Sequence, residues 1–361
     1  MQKFSKRYKS NILLEEIGVN GQNRIKSSRV LIVGAGGLGS PITLYLAAAG
    51  VGNIGIIDFD NVDISNLQRQ ILYSDNDIGK NKVEIAKERI EKLNPEIKVT
   101  VYKEKLTNEN ALGIFKNYDI VADAADNFQT RYLVNDACAI AGIADVWASV
   151  YKFEGQVSVF DAKKGACYRC FHPVAPKPGS APSCGESGVI GAITGIIGSI
   201  QTCEVLKIIT GVGTPLIGRL LYFDTLNMTT REFKIKKDNT SSLCGTNPLI
   251  KELQDYDEFC QINKLSENEI TPEELKIKLK NKESIKIISI CEENEKQNLF
   301  FHKSLPIPLN NIVFLKNKLN TDTETIFVCK YGYKSIYAIR LLKESGYKGK
   351  MYSLKGGTNK Y

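Results

Sequence analysis

VLIVGAGGLGSPITLYLAAAGVGNIGIIDFD, residues 30–60, carries an apolar run, a glycine-rich turn, a helical pattern and a second apolar run that ends in acid. Gly34-x-Gly36-x-x-Gly39 follows the first strand and opens the helix. Glycine allows the tight turn and the close approach of backbone to ligand, and a helix N-terminus offers N–H groups and partial positive charge to a phosphate. Asp58 closes the next strand, where a carboxylate can take ribose hydroxyls. At this point three readings stay open: a dinucleotide, ATP, or a turn kept only for tight packing.

Outward from this stretch the pattern keeps alternating. Strand-like runs at Arg29–Val33, Ile54–Asp58, Lys98–Tyr102, Asp119–Ala122 and Asp145–Ser149 are separated by helical patterns at Leu38–Ala49, Lys80–Leu93, Asn110–Lys116 and Thr130–Ala141. Such a series predicts an α/β fold with a doubly wound, mainly parallel Rossmann-like sheet. A hairpin-like region, a long apolar helix over Gly191–Thr210 and two strands (GRLLYFD, TREFKIK) add an antiparallel extension. We expect a first domain over 1–237, a turn-rich linker over 238–269 and a smaller α/β domain over 270–361. The second opens at N-cap Thr271 with Pro272 in the first helical position.

Composition narrows the function classes. The 361 residues carry 43% hydrophobic and 24% charged side chains and a net charge of +8, ordinary values for a globular chain. The lysine runs have little aromatic interleaving, so no nucleic-acid partner is expected. No secretory signal pattern or membrane-spanning apolar run is visible, and we expect a cytoplasmic protein. Only two histidines are present, His172 and His302. Catalysis must therefore lean on Asp, Lys, Arg and Cys. Nine cysteines in such a chain point to metal or thiol chemistry.

The residues after Asp58 change the order of the three readings. DFDNVDISNLQRQ and DIGKNKVEIAKERI put Arg69 and Lys82 near one another, and VADAADNFQTR puts Asp123, Asp126 and Asn127 just past a strand's carboxyl end. An open α/β sheet binds its ligand there. A hydride-transferring oxidoreductase needs no such cation pair. Adenylyl transfer builds charge on a triphosphate and must neutralise it, and a carboxylate facing phosphates suits Mg²⁺. An NAD-dependent oxidoreductase and a non-catalytic carrier-binding scaffold remain as alternatives.

GAGGLGS, IIDFD, SNLQRQ, GKNKVE, DAADN and EGQVSVF, in this order, resemble the ThiF and molybdopterin-synthase adenylyltransferase family, relatives of ubiquitin-activating enzymes. The resemblance runs from about Arg7 to Lys237. It implies ATP- and Mg²⁺-dependent adenylation of the Gly-Gly carboxylate of a ubiquitin-like sulfur-carrier protein, within a homodimer. Carried onto this sequence, Gly34, Gly36 and Gly37 pack on the nucleotide and Asp58 holds its ribose. Asn66, Arg69 and Lys82 contact phosphates, Asp126 binds Mg²⁺, and Asp60, Ser65 and Asn127 complete the set. One position departs: the family's second N-terminal arginine is Ser10 here, with Arg7 and Lys9 as possible substitutes.

Cys167-x-x-Cys170 has zinc-ligand spacing. The family closes such a site with a second C-x-x-C, of which this chain keeps Cys244 but has Ser241 in the partner position. Zn²⁺ on three thiolates plus water or another ligand is one reading, and reduced structural cysteines the other. Cys184 lies in a Gly/Pro-rich loop before a helix, and in relatives a cysteine of this loop can join covalently to the activated carrier. Cys138 and Cys203 sit in apolar helical patterns and read as packing residues.

TIFVCKYGYKSIYAIRLLKES sets Cys329 at a strand's end, before a short loop with Gly332 and Lys334 and a helix. Loop amides and a helix N-terminus stabilise a thiolate or persulfide. The arrangement, with the ending GYKGKMYSLKGGTNKY, resembles a rhodanese domain over about Ile270–Tyr361, which implies a persulfide on Cys329 supplied by a separate sulfur donor. Ser289 and Cys291 replace that family's usual Asp and Arg. Gly356 and Gly357 belong to the rhodanese ending and do not form a modifier tail.

Overall fold

The computed structural model describes residues 6–176, 188–260, 268–281, 283–291, 300–330, 332–358 and 361. The described chain forms two compact units, one holding 6–175 and 188–256, the other beginning at residue 257.

The first unit is built on an eight-stranded sheet. Its strands are β1 Arg29–Val33, β2 Asn53–Ile57, β3 Lys98–Tyr102, β4 Ile120–Asp123, β5 Ala144–Tyr151, β6 Glu154–Phe160, β7 Arg219–Asp224 and β8 Thr229–Lys234. They lie in the order β3-β2-β1-β4-β5-β6-β7-β8. Pairing is parallel from β3 to β5 and antiparallel from β5 to β8. The central parallel strands β1, β2 and β4 are mostly apolar and buried because helices cover both faces, with Val30, Leu31 and Ile32 fully buried, while the edge strand β3 is partly exposed.

The covering helices are α1 Gly18–Ser27, α2 Gly39–Ala49, α3 Lys82–Leu93, α4 Ala111–Phe115, α5 Phe128–Ala141 and α6 Gly191–Thr210. By length and composition α6 could cross a membrane, but here it packs on α2, α1, β5 and β6. Left-handed glycines, Gly50, Gly142 and Gly211, end α2, α5 and α6, as the cost of positive φ for a Cβ-bearing residue requires.

Strand order reverses between β1 and β4. In open α/β sheets the ligand crevice lies at such a switch point, outside the carboxyl ends of the two strands. Val33 of β1 pairs with Asp123 of β4, so the glycine turn and the DAADN segment leave the sheet side by side.

The segment expected to be a linker from Asp238 is in part structural. Leu243 and Cys244 are buried against Cys167, and the Tyr256 hydroxyl donates to Asp136 at 2.8 Å. Residues 238–256 therefore belong to the first unit, because the thiols and Leu243 are apolar surface that the sheet unit must cover.

The second unit has a five-stranded, all-parallel sheet: β9 Glu269–Ile270, β10 Ile285–Ile290, β11 Leu305–Ile307, β12 Glu324–Val328 and β13 Met351–Leu354. The order is β11-β10-β12-β13-β9, with the reversal between β10 and β12. Helix α7, Pro272–Lys280, starts with a capping box in which Thr271 accepts from the Glu274 amide at 3.2 Å and Glu274 accepts from the Thr271 amide at 2.8 Å. Helix α8, Tyr333–Glu344, follows the Cys329 turn.

Candidate functional site

Gly34 takes φ +92°, and a Cβ there would stand 2.9 Å from the Ala124 carbonyl oxygen. Only glycine lets the β1 turn lie this close to the segment leaving β4. Gly36 is half-buried, and a Cβ added to it would make an ordinary contact with the Gln70 side chain, 3.6 Å away. Gly37 rests on Thr194 of α6, whose hydroxyl also lies 3.3 Å from the Arg69 carbonyl oxygen. The turn is thus braced by Thr194 and Gln70 while Gly36 and Gly37 stay partly exposed.

The acid closing β2 is tied into this turn. Asp58 accepts from the Ala35 amide and from the Asp60 amide, each at 2.8 Å. Burial pushes its carboxyl above the usual range, and the Lys82 charge partly offsets this. Asp60 is exposed and pairs with Lys82 at 2.9 Å, while the Lys82 side chain is buried at the N-terminus of α3. Buried lysines need a partner; an anion entering the crevice can take over that role from Asp60.

Ser65 and Asn66 form a 3-10 turn capped by Asp63. The Ser65 amide and hydroxyl donate to Asp63 at 2.8 and 2.5 Å, and Asn66 accepts from the Asp63 amide at 3.2 Å. This turn delivers Arg69, half-buried, with its guanidinium on the Ser65 carbonyl oxygen at 2.9 Å. On the β4 side Asp126 is exposed, and Asn127 caps α5 through the Thr130 amide at 2.9 Å. Asp123, expected just past the strand, ends β4 and is fully buried. The switch point therefore gathers Gly34, Gly36, Gly37, Asp58, Asp60, Lys82, Ser65, Asn66, Arg69, Asp126 and Asn127 from neighbouring segments.

Sequence reasoning missed two residues in this place. Gln70 is buried beneath Gly36, with no partner on its side-chain oxygen among the described residues, and the Tyr73 hydroxyl donates to the Ala35 carbonyl at 2.7 Å. Both follow Arg69 closely, yet a side chain turned under a turn leaves no periodic signal. At the N-terminus Arg7 donates to the Leu93 carbonyl oxygen at 3.1 Å, and Lys9 and Ser10 are exposed.

The thiols fall into separate places. Cys167 and Cys170 lie with sulfurs 3.8 Å apart, Cys170 and Cys244 3.4 Å, and Ser241 Oγ stands 3.7 Å from Cys167 Sγ. Zinc–sulfur bonds of about 2.3 Å at tetrahedral angles put sulfurs about 3.7–3.8 Å apart, so three thiolates fit the ion and Ser241 stands near the fourth corner. The Cys167–Cys170 hydrogen bond keeps the proton on Cys167 and pulls Cys170 down. Cys138 is buried as expected, whereas Cys203 is exposed on α6. That helix is apolar on more sides than the sheet covers, so its composition does not reveal which side faces out. Cys184 lies outside the described residues.

Cys329 ends β12 and is 6% exposed. Its sulfur accepts from the Gly332 amide at 3.1 Å and lies 3.4 Å from the Ser335 hydroxyl, which is 2.8 Å from Ser353. The turn of Gly356 and Gly357 lies against this loop: the Thr358 amide donates to the Cys329 carbonyl at 2.9 Å. The two glycines are thus built into the second unit. Ser289 shares a 2.6 Å hydrogen bond with Ser304, and Cys291 is buried.

Residues 8–246 match the ThiF family. The chain belongs to the ThiF family. It is 41% identical to the probable adenylyltransferase/sulfurtransferase MoeZ of Mycobacterium tuberculosis, over 97% of this chain and 91% of that protein. It is 45% identical to the sulfur carrier protein adenylyltransferase of Thermus thermophilus, over 70% of this chain and 96% of that protein. Among solved structures, Escherichia coli MccB matches with a TM-score of 0.61 and 26% identity, over 66% of this chain and 75% of MccB. MccB has also been solved with ATP (TM-score 0.58, 25% identity, 66% of this chain and 73% of that chain). The relatives' names describe adenylyl and sulfur transfer, and the oxidoreductase reading of the glycine turn falls away.

Proposed function

We propose that this enzyme adenylates the C-terminal Gly-Gly carboxylate of a ubiquitin-like sulfur-carrier protein and then replaces AMP by sulfur. The observation that carries the reading is the switch point of the first sheet, where a partly exposed glycine turn meets Arg69, Lys82 and an exposed carboxylate in a chain whose relatives are named adenylyltransferases. A carboxylate oxygen of the carrier attacks the α-phosphorus of ATP and pyrophosphate leaves. No general base is needed, only alignment and charge neutralisation. Asp58 is placed for the ribose, and Arg69 and Lys82 for phosphate oxygens. Asp126 would hold Mg²⁺, which neutralises the leaving pyrophosphate.

Sulfur enters through Cys329, in a unit we read as rhodanese-like. Its terminal persulfide sulfur attacks the acyl carbon, AMP leaves, and a thiol then reduces the acyl disulfide to the thiocarboxylate. The Gly332 amide and the Ser335 hydroxyl both lie at the sulfur, where they can bond the sulfur that reacts. Zn²⁺ on Cys167, Cys170 and Cys244 is part of the proposal as a structural ion, with Ser241 or water completing it. A reducing cytoplasm, in which these thiols stay active, belongs to it too. So does a homodimer, for which the exposed Val19, Tyr45 and Cys203 offer helical surface.

The test is pyrophosphate exchange into ATP against the Gly-Gly-ended carriers of the source organism. Exchange that depends on one carrier supports the reading and assigns the pathway, molybdenum cofactor, thiamine or tRNA thiolation. No exchange with any carrier contradicts it.

A further inference from the structure

We infer that Asp123 and Arg131 are positioning residues for Asp126, acting as a clamp on the two peptide groups that flank Ala125; the inference rests on the reading of Asp126 as the magnesium carboxylate. Asp123 Oδ1 accepts from the Ala125 N–H at 2.8 Å, and Arg131 Nε donates to the Ala125 carbonyl at 3.2 Å. The residue immediately before Asp126 is therefore held at both of its backbone polar groups, through the N–H of the 124–125 peptide and the carbonyl of the 125–126 peptide.

Both clamping side chains are buried, Asp123 completely and Arg131 to 7% exposure. Arg131 is itself fixed: its guanidinium donates to Ser149 of β5 at 3.0 Å and lies 5.5 Å from the Phe128 ring and 5.7 Å from the Trp147 ring. Gln201 of α6 donates to the carbonyls of Asp123 and Val146, each at 2.9 Å, and so locks the end of β4 to β5. The Asp126 carboxylate, by contrast, is exposed and accepts only from Asn127 Nδ2, at 3.3 Å, among the described contacts. Its backbone is rigid while its carboxylate is free to meet a cation.

This arrangement is a poor solution for stability alone. Burying a carboxylate and a guanidinium without pairing them is unfavourable. The two groups turn to the backbone of the same residue instead of to each other, and Asp123 Oδ2 has no partner among the described residues. Local rules are broken in this way where a site demands it. Groups one step behind a metal ligand typically alter metal affinity by about 10- to 100-fold when removed.

The single tryptophan supplies a readout independent of turnover. Trp147 pairs with Asp123 in the sheet and lies beside Arg131. The full-length protein, with saturating ATP and no carrier, is titrated with Mg²⁺ while Trp147 fluorescence is followed, and thermal melts are recorded without ligand. Asp123→Ala is expected to raise the Mg²⁺ midpoint by about 10- to 100-fold without a matching fall in the ligand-free melting temperature. Arg131→Met, which keeps the aliphatic stem and removes the donor, is expected to do the same and serves if the first variant does not fold. Asp123→Asn, whose amide oxygen can still accept from Ala125, should return the midpoint close to wild type. An unchanged midpoint in Asp123→Ala or Arg131→Met, or an Asn variant as impaired as the Ala variant, overturns the clamp. Asp126→Ala run alongside separates the two failures. If it loses the Mg²⁺ response while the clamp variants keep theirs, only the clamp is wrong. If it keeps the response, the magnesium reading falls and takes the clamp with it.

Discussion

At the switch point of the eight-stranded sheet, the chain leaves β1 through a turn that stays partly exposed at Gly36 and rests on Thr194 and Gln70. At the switch point of the five-stranded sheet, the chain leaves β12 through a turn that closes on its own sulfur, with the Gly332 amide on Cys329 and the Gly357 turn pressed against the loop backbone. Both are parallel strands followed by a helix N-terminus, so both offer amides and partial positive charge. The first keeps its partly exposed glycines beside Arg69, Lys82 and the exposed Asp126, which suits a large polyanion that arrives and leaves. The second leaves only 6% of its cysteine exposed, which suits one small anionic sulfur attached to the protein. The same topology thus serves substrate binding in one unit and covalent carriage in the other.

The largest effect that sharpens this contrast is expected from Cys329→Ser. It should reduce carrier thiocarboxylate, measured by mass spectrometry of the carrier, to background; thiocarboxylate at wild-type levels would show that the second turn carries no sulfur. Next comes Lys82→Ala, which removes the buried cation of the first turn. Loss of a preorganised charge contact is worth about 10²–10³ in rate, so pyrophosphate exchange should fall by that order with the melting temperature little changed. A fall below threefold would place Lys82 outside the reaction. Ser241→Cys tests the thiol cluster, which belongs to neither turn. With a fourth thiolate it should give up zinc to a chelator more slowly than the native chain, as followed by a colorimetric zinc indicator; faster release would mean that Ser241 does not stand at the fourth corner.

The smallest expected effect concerns stability. Asp145 is fully buried with no partner on either oxygen among the described residues, and burial, aided by the Asp123 charge, pushes its pKa well up. Burial raises Asp123 in the same direction, to about 6. A carboxyl raised on folding leaves stability intact below its unfolded pKa of about 3.9 and subtracts from it as pH climbs through the folded value. The wild type should therefore lose melting temperature as pH climbs from about 4 through the raised Asp123 value of about 6. Asp145→Asn should soften that loss and gain about 1–3 kcal/mol near neutrality. Lower stability for the Asn variant at every pH would show that the carboxyl has partners after all.

The glycine turn, the alternating elements and Asp58, Arg69, Lys82, Asp126 and Asn127 were legible in the sequence because they lie near strand or helix ends marked by local periodicity, whereas Gly37, Asp60, Ser65 and Asn66 came through the family resemblance. What escaped notice depends on long loops closing. Tyr256 reaches Asp136 across more than a hundred residues, whereas the approach of Ser241 and Cys244 to Cys167 and Cys170, across about seventy, was expected through the family resemblance alone. Contacts of that kind turned an apparent linker into part of the first unit. The Arg131 clamp escaped for a different reason: the interaction ends on a backbone amide and carbonyl, and a peptide group has no residue type by which to be recognised. The exposure of Cys203 was hidden by a helix that is apolar almost all round, where a hydrophobic stripe gives no direction.

The division of labour between the two turns is the central claim, and carrier-dependent pyrophosphate exchange measured on Asp126→Ala and Cys329→Ser tests it most directly. The account predicts that the first variant loses exchange and the second keeps it at the wild-type rate while forming no thiocarboxylate. Exchange that survives in Asp126→Ala, or that disappears in a folded Cys329→Ser, would contradict it.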